Sequence, residues 1–275
     1  MNLRKAMDKA KKERSDRMAS SGQTASESDR LQGAGNGSTW QKPVYTDSKP
    51  VNIDMATAIK NHCVALSPEF AEVDYYKVLR TQLRQIGKDR AWNTIMVTSV
   101  SPREGKTVTA INLAVTFARE YSQTVMLVDA DLRGQSIHRY LGYESQLGLL
   151  DVLEERAAMK DVIVWPGIEK FTVISGGGKV ADSSEIMGSP RMSTLVHELK
   201  SRYDDRYVIF DVPPVMGGAD ALAFAPLVDC IILVVGPGVT RQQEMKKALE
   251  MLPPDKIAGF VLNQNQGAIR LHGNK

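Results

Sequence analysis

Three short segments of this chain share one pattern, an apolar run that ends abruptly in charged or small polar residues. They are TIMVTSVSPREGKT (Thr94 to Thr107), VMLVDADLR (Val125 to Arg133) and YVIFDVPP (Tyr207 to Pro214). Continuous apolar runs are typical of buried strands in a parallel sheet, whose carboxyl ends all meet at one edge. We therefore predict that the polar residues of the three segments lie together and form a single site.

Around these segments, short β-rich runs alternate with helical stretches. The predicted strands are Thr94 to Val97, Val125 to Val128, Phe171 to Ile174, Tyr207 to Phe210, Cys230 to Val235 and Gly259 to Leu262. The predicted helices are Glu72 to Gln85, Val108 to Glu120, Gly148 to Glu155, Met192 to Arg202, Ala219 to Leu227 and Gln242 to Leu252. This alternation predicts an α/β fold of three layers, with a mainly parallel central sheet covered by helices on both faces.

The first segment ends in a candidate phosphate-binding loop, because Gly105, Lys106 and Thr107 follow a predicted strand and open a helix. A phosphate chain needs converging backbone N–H groups, and the start of a helix supplies them together with a favourable dipole. Lys106 would hold the β- and γ-phosphates, and Thr107 would place its hydroxyl on Mg²⁺. The spacing predicts a P-loop NTPase fold, although Val100 stands where such loops usually have their first glycine. The residues predicted to surround the phosphates are Arg103, Glu104, Gly105, Lys106, Thr107 and Val108.

Three aspartates end the other two apolar runs. Asp211 stands where P-loop proteins bring a carboxylate to Mg²⁺, usually through water. Asp129 and Asp131 are two residues apart, so in an extended chain both can face the nucleotide. They could position the metal and accept a proton from an attacking hydroxyl, or Asp131 could merely cap the following segment. We predict Lys106, Asp129 and Asp131 as catalytic residues, and Thr107, Asp129 and Asp211 as metal ligands.

Length and composition limit the class of protein. The 275 residues are 43% hydrophobic, which suits one α/β domain with a tail. The sequence has no apolar run of about 18 residues and no apolar core near its start, so we expect neither a membrane span nor a secretory signal. The net charge of only +3 argues against a dedicated nucleic-acid binder, and the two cysteines follow no metal-binding spacing. We expect a cytoplasmic protein.

The chain divides by composition into four segments. Residues 1–50 carry ten Lys or Arg against six Asp or Glu and are rich in small polar residues, so we expect a disordered basic tail. Such a tail could approach acidic lipid or an acidic partner, or simply remain solvated. Residues 51–67 form a lead-in of unpredicted structure, residues 68–266 the α/β domain, and residues 267–275 a short tail.

Taken together, the motifs resemble the nucleotide motifs of one family. In this order and spacing, TSVSPREGKT, LVDADLR and IFDVPP are similar to those of bacterial protein tyrosine kinases of capsule and exopolysaccharide biosynthesis. The resemblance covers about Pro68 to Gln266. It implies ATP and Mg²⁺ as ligands and transfer of the γ-phosphoryl group to a tyrosine.

The resemblance also implies roles for individual residues. One of Asp129 and Asp131 would be the base for the tyrosine hydroxyl, and Asp211 would bind the metal. Asn263 stands where related P-loop folds read the edge of adenine, although it could equally cap the last strand.

Assembly is a further implication of the resemblance. In this family a helix with the pattern Glu-x-x-Arg-x-x-Arg joins neighbouring subunits of a ring, and the matching positions here are Asp74, Lys77 and Arg80. The charge signs are preserved, but Lys cannot reproduce the bidentate fork of Arg. The family's kinases are typically stimulated by the cytoplasmic segment of an inner-membrane protein that controls polysaccharide chain length. The resemblance thus implies a homo-oligomer, with that partner as a separate chain, recruited peripherally to the inner face of the membrane.

Two features depart from the family pattern. Arg103 stands where family members often have glycine, and arginine tolerates a positive φ poorly. No tyrosine follows Tyr207, whereas many of these kinases carry a carboxyl-terminal tyrosine cluster that neighbours phosphorylate. The acceptor would then be Tyr45, Tyr75 or Tyr76, or a tyrosine of another protein.

Two other functions stay open on the sequence. A partitioning-type P-loop ATPase, acting as a nucleotide-driven dimer switch, usually carries an extra lysine where this chain has Ser101. A weakly catalytic, nucleotide-binding regulatory subunit of the polysaccharide machinery would account for the missing tyrosine cluster. Formation of phosphotyrosine separates the kinase from both.

Overall fold

The computed structural model describes residues 48–264, except Ser122, Lys179, Ala181 and residues 203–204. The predicted carboxyl-terminal tail, and the predicted basic tail up to residue 47, lie outside the described residues. The strands are β1 (Lys49–Pro50), β2 (Thr94–Ser99), β3 (Thr124–Asp129), β4 (Ile163–Trp165), β5 (Phe171–Ile174), β6 (Arg206–Asp211), β7 (Cys230–Val235) and β8 (Ile257–Leu262).

These strands form one sheet with the order β1-β4-β5-β3-β6-β2-β7-β8. Every neighbouring pair is parallel except β4 and β5, which are antiparallel. Strands β2, β3 and β7 are buried along their whole length, which explains their continuous apolar sequences. The predicted mainly parallel sheet is confirmed. The structure adds β1 and β4, which have only two and three residues and are too short to produce a pattern.

Helices cover both faces of the sheet, as predicted. Those of the described residues are α1 (Met55–Lys60), α2 (Val73–Gly87), α3 (Lys106–Ala118), α4 (Ile137–Leu141), α5 (Leu149–Leu153), α6 (Met159–Val162), α7 (Ser184–Met187), α8 (Pro190–Ser201), α9 (Asp220–Phe224) and α10 (Gln242–Met251). Among them, no helix is both long enough and apolar enough to cross a bilayer.

Two apolar clusters, one on each side of the sheet, make the fold three layers deep. On one side α8 and α10 contribute Leu195 and Ala248 to a buried cluster. On the other side α2 and α3 contribute Leu83 and Phe117 to a second cluster. The two clusters share no residue, because alternate residues of each central strand point to opposite faces.

The lead-in segment, whose structure the sequence does not predict, is fastened to α3. Asn112 is fully buried, accepts a hydrogen bond from the Ala65 N–H group at 2.8 Å and donates one to the His62 carbonyl oxygen at 2.9 Å. Just before this segment, Lys49 and Pro50 of the predicted tail pair with β4. The folded part of the chain therefore begins before the predicted boundary at residue 50.

Candidate active site

The loop between β2 and α3 places the residues that were predicted to bind phosphate. Helix α3 begins at Lys106, two residues earlier than predicted, so that Lys106, Thr107 and Val108 form its first turn. The N–H groups of a first helical turn have no acceptor within the helix, which suits them to an anion. Gly105 has a φ of 89°, and a Cβ atom there would lie 1.9 Å from Asn263 Nδ2. The positive φ favours glycine, and a larger residue would also have to displace the Asn263 side chain.

The Lys106 ammonium group lies between two carboxylates at the ends of neighbouring strands. Its Nζ atom is 2.8 Å from Asp131 Oδ2 and 3.1 Å from Asp211 Oδ1. The Thr107 hydroxyl donates to Asp211 Oδ2 at 2.6 Å and lies 3.2 Å from the Ser136 hydroxyl. The structure thus brings four predicted site residues into direct contact and adds Ser136 beside them.

Asp129 lies next to this cluster but makes different contacts. The register of β3 and β6 pairs it with Asp211, and it is fully buried. Its Oδ1 accepts from the Asp131 N–H group at 3.2 Å, and its Oδ2 accepts from the Ile137 N–H group at 3.0 Å. Asp131 is 8% exposed and accepts from the Gly134 N–H group at 2.8 Å. Asp129 therefore organises the loop after β3, and Asp131 is the carboxylate more open to a second reactant.

Burial and charge shift the protonation of this cluster. Burial and the nearby Asp211 raise the pKa of Asp129 to about 7, while a backbone hydrogen bond and Lys106 oppose that rise. Burial also raises the pKa of Asp211, although Lys106 and the Thr107 hydroxyl oppose it. Burial alone would lower the pKa of Lys106, but the charges of Asp211 and Asp131 outweigh it and the pKa is raised. Lys106 is therefore a firmly charged ammonium group at neutral pH.

The predicted place of Glu104 near the phosphates stays a prediction, and its side chain braces the loop. It is fully buried, and its Oε2 accepts from the Ser101 N–H group at 2.8 Å. Its Oε1 accepts a short hydrogen bond from the Thr240 hydroxyl, in the segment before α10. Arg103, by contrast, is exposed and has a φ of 69°, the left-handed region that arginine tolerates poorly. The arginine therefore carries a strain that glycine would avoid.

Asn263 follows β8 and also braces the loop. Its N–H group donates to the Val235 carbonyl oxygen at 2.9 Å, which continues the pairing of β7 and β8. Its Nδ2 donates to the Glu104 carbonyl oxygen at 2.9 Å, and Gln264 Nε2 donates to the Arg103 carbonyl oxygen at 2.8 Å. The predicted contact of Asn263 with adenine stays a prediction.

A second polar network near the site joins two loops and the first residue of α9. Arg133 Nε donates to the Ser183 hydroxyl at 2.8 Å, and Arg133 Nη2 donates to Asp220 Oδ1 at 3.1 Å. The Ser183 hydroxyl donates to Asp220 Oδ2 at 2.6 Å. Arg133 and Asp220 are 87 residues apart, so no local pattern reveals this network. Ser136 was missed for a related reason, because only the turn after Asp131 brings it to Thr107.

The oxygen atoms of the site suit a metal ion that is bound together with a phosphate. Within the described ranges, no three acidic, histidine or cysteine side chains converge closely enough to hold a metal alone. Mg²⁺ does not need such a cage, because it commonly keeps waters and substrate phosphate oxygens as ligands. The Thr107 hydroxyl and the Asp211 carboxylate offer it adjacent oxygen donors.

The raised pKa of Asp129 predicts a pH dependence of stability in the nucleotide-free protein, measured with a metal chelator. Between the ordinary carboxyl pKa and about 7, folded Asp129 keeps a proton that the unfolded chain has lost, so stability falls as pH rises. Asp129→Asn removes this effect. We expect the melting temperature of the variant, relative to wild type, to rise by several degrees between about pH 5 and pH 8.

The measurement is thermal unfolding followed by circular dichroism at each pH. Asp255→Asn, which changes an exposed aspartate, is the matched control and should run parallel to wild type. Parallel curves for Asp129→Asn as well would show that Asp129 titrates as an ordinary carboxyl group.

Comparison with known proteins identifies relatives of this chain. A model of the ParA family, described as NUBPL iron-transfer P-loop NTPase, matches residues 90–269, which is more than half of the chain. Tyrosine-protein kinase YwqD of Bacillus subtilis (strain 168) is 32% identical over 206 residues, covering 74% of this chain and 86% of YwqD. Tyrosine-protein kinase wzc of Salmonella typhimurium is 28% identical over 72% of this chain but only 27% of its own length.

Among solved structures, the BceF tyrosine kinase domain has a TM-score of 0.64 and 26% identity, covering 81% of this chain and 93% of that domain. The relatives found by sequence and those found by structure are therefore both tyrosine kinases. The chain belongs to the ParA-type P-loop NTPases and, within them, to the bacterial protein tyrosine kinases.

Proposed function

We propose that this chain is an ATP- and Mg²⁺-dependent protein tyrosine kinase that regulates the polymerisation and export of capsule or exopolysaccharide. The observation that carries the proposal is the contact of Lys106 with Asp131 and Asp211, at the start of a helix that follows a parallel strand. A cation, an oxygen pair for a metal and a candidate base are the parts that phosphoryl transfer requires. The role in polysaccharide production is supported by the family resemblance.

Nucleotide binding would use the first turn of α3. Its N–H groups and the Lys106 ammonium would bind the β- and γ-phosphates, which requires Lys106 to turn from its two carboxylates to phosphate oxygens. Thr107 and Asp211 would hold Mg²⁺, with Asp129 behind them, and the bound ion neutralises charge on the phosphates. Asn263 would present its carbonyl oxygen to the adenine edge.

Asp131 is the better candidate for the catalytic base. A tyrosine hydroxyl oxygen would bond to the γ-phosphorus as the bond to the β-phosphate oxygen breaks and ADP leaves, and the hydroxyl proton needs an acceptor. Both oxygens of the fully buried Asp129 already accept backbone hydrogen bonds. Asp131 is slightly exposed to solvent. If Lys106 turned to the phosphates, the Asp131 carboxylate would be left without that partner and could accept the proton.

Self-association through α2 is the second part of the proposal. Asp74 and Lys77 are exposed and form an ion pair of 2.7 Å with each other. The Arg80 side chain is only 15% exposed, and its guanidinium binds Glu120 at 2.6 Å and the Thr116 carbonyl oxygen at 2.8 Å. Because Arg80 is committed within the chain, Asp74 and Lys77 are the better candidates for a charged contact between copies.

The activating partner is the third part. We propose that it is the cytoplasmic segment of a separate inner-membrane protein that controls polysaccharide chain length, and that it recruits the kinase to the inner face of the membrane. The family resemblance supports this, and the basic excess of residues 1–50 suits an anionic surface.

The match to the ParA family model favours one alternative, a partitioning-type ATPase that hydrolyses ATP and dimerises without making phosphotyrosine. Against it, Ser101 occupies the position of that class's extra lysine, and its hydroxyl lies 3.4 Å from Glu244 Oε2. A regulatory subunit, which would bind nucleotide without turnover, is the other alternative.

Replacing Lys106 with Met removes the ammonium group and keeps most of the side-chain volume. We expect phosphotyrosine formation with ATP and Mg²⁺ to fall about a hundredfold or more, because a cation aimed at the transferring phosphoryl group is lost. Phosphotyrosine formation is measured by anti-phosphotyrosine blotting of the purified protein. The assay is run with and without the cytoplasmic segment of a candidate membrane partner.

Lys160→Met, which changes an exposed lysine of α6, is the matched control and should keep wild-type activity. Wild-type protein that hydrolyses ATP without making phosphotyrosine would indicate the partitioning-type ATPase. Binding of ATP without turnover would indicate the regulatory subunit.

Asparagine substitutions separate the two candidate bases. We expect Asp131→Asn to lower kcat by about two orders of magnitude while nucleotide affinity changes little, because a general base is lost. Asp129→Asn should affect nucleotide and metal binding more than kcat. Initial rates over a range of ATP concentrations give both quantities, and unchanged phosphotyrosine formation in both variants would remove both residues from the mechanism.

Charge reversal on α2 tests self-association. We expect Lys77→Glu to weaken it, because Asp74 would then face a like charge within the helix and the contact would lose its cation. Light scattering with ATP and Mg²⁺ present measures the mass of the assembly. Lys160→Glu makes the same charge change elsewhere, and an equal loss in both variants would rule out a specific contact at Lys77.

A further inference from the structure

The tyrosines of the described residues differ in how well each could enter another active site. Tyr121 is 82% exposed, whereas Tyr75 is 43% exposed and lies on α2. Tyr76 is half-buried, and burial raises the pKa of its hydroxyl. Tyr45 lies outside the described residues. Of the tyrosines that the structure describes, Tyr121 is therefore the most exposed.

Tyr121 lies far from the nucleotide site of its own chain. It follows the end of α3, which begins at Lys106 in the phosphate loop and runs for 13 residues. At a rise of roughly 1.5 Å per residue, the far end of that helix is about 20 Å from the loop. The next element, β3, needs its full length to return to Asp129. Because a packed helix and a buried strand hold these ends apart, Tyr121 can reach an active site only on another molecule.

The turn that carries Tyr121 is bordered by cationic groups. Lys170 Nζ donates to the carbonyl oxygens of Glu120 and Tyr121. Arg80 and Arg84 both bind the Glu120 carboxylate, at 2.6 Å and 3.2 Å. Two guanidinium groups thus share one carboxylate. Three cationic side chains around one carboxylate leave this turn net positive, which suits the charge of about −2 on a phosphotyrosine.

We propose that Tyr121 is a phosphoryl acceptor for a second copy of this chain, an inference that rests on the proposed kinase activity. The Tyr121 hydroxyl oxygen of one copy bonds to the γ-phosphorus of ATP held by the other copy. The bond from that phosphorus to the β-phosphate oxygen breaks, and ADP leaves. The hydroxyl proton passes to a carboxylate of the enzyme copy, for which Asp131 is best placed.

The experiment mixes two differently tagged forms of the full chain with ATP and Mg²⁺. The donor is Tyr121→Phe, which keeps the proposed active site but cannot be labelled at this position. The acceptor is Lys106→Met, which keeps Tyr121 but lacks the essential cation. Mass spectrometry of acceptor peptides locates the phosphotyrosine, and circular dichroism confirms that each form is folded.

We expect the acceptor to be phosphorylated at Tyr121, and to lose that signal when it also carries Tyr121→Phe. An acceptor with Tyr75→Phe instead is the matched control, since Tyr75 is the other exposed tyrosine among the described residues, and it should be labelled at Tyr121 like its parent. The labelling rate per molecule should rise with protein concentration, as an intermolecular step requires. Equal labelling of the Tyr121→Phe acceptor would overturn the inference.

A copolymer of glutamate and tyrosine, added as a generic substrate, separates failure of this inference from failure of the proposed function. If the donor phosphorylates the copolymer but leaves Tyr121 of the acceptor unmodified, the kinase stands and Tyr121 is not its acceptor. If neither wild type nor donor phosphorylates the copolymer or any chain, even with the partner segment, the proposed kinase activity fails and the inference falls with it.

Discussion

A buried ammonium group held between two carboxylates is the interaction on which the site depends. Lys106 comes from the start of α3, Asp131 from the loop after β3, and Asp211 from the end of β6, so one ion cluster joins three parts of the chain. Each of these charges would cost several kcal/mol to bury alone, and their mutual attraction offsets much of that cost. The same groups are those that phosphates and Mg²⁺ would engage. The residues proposed to act on the ligand therefore also hold these three parts of the chain together.

The phosphate loop is shaped by a second set of contacts, which come from residues near the carboxyl end of the domain. Glu104 ties the loop to Thr240, and Asn263 donates to the Glu104 carbonyl oxygen. Gly105 permits this arrangement because it has no Cβ atom to meet the Asn263 side chain. The loop is thus held from the side of β7 and β8, while its ligand-binding groups belong to α3. This division would let the loop keep its shape if Lys106 exchanged its carboxylate partners for phosphate, as proposed above.

The fold and much of the site could be predicted where local pattern and chemistry coincide. Long apolar strands between helices predicted the parallel core, and a glycine and lysine at the end of one strand predicted a loop that opens a helix. Strands β1 and β4 could not be predicted, because two or three residues pairing with distant partners leave no periodic signal. Tertiary contacts also decided the roles of individual side chains. The Glu104 side chain bonds to the backbone of its own loop, and Arg80 bonds within its own chain because Glu120 lies beside it.

The hydrogen bond between Asn263 and Glu104 has a consequence for how the protein is made. The two residues are 159 positions apart, and Asn263 follows the last strand of the sheet. A ribosome delivers the amino-terminal part of a domain first, so β2 and α3 emerge long before β8. During synthesis the loop therefore exists for some time without the contact that shapes it. A nascent chain can therefore complete this loop only when nearly the whole domain has been translated, and a nucleotide that needs the finished loop would bind only after that point.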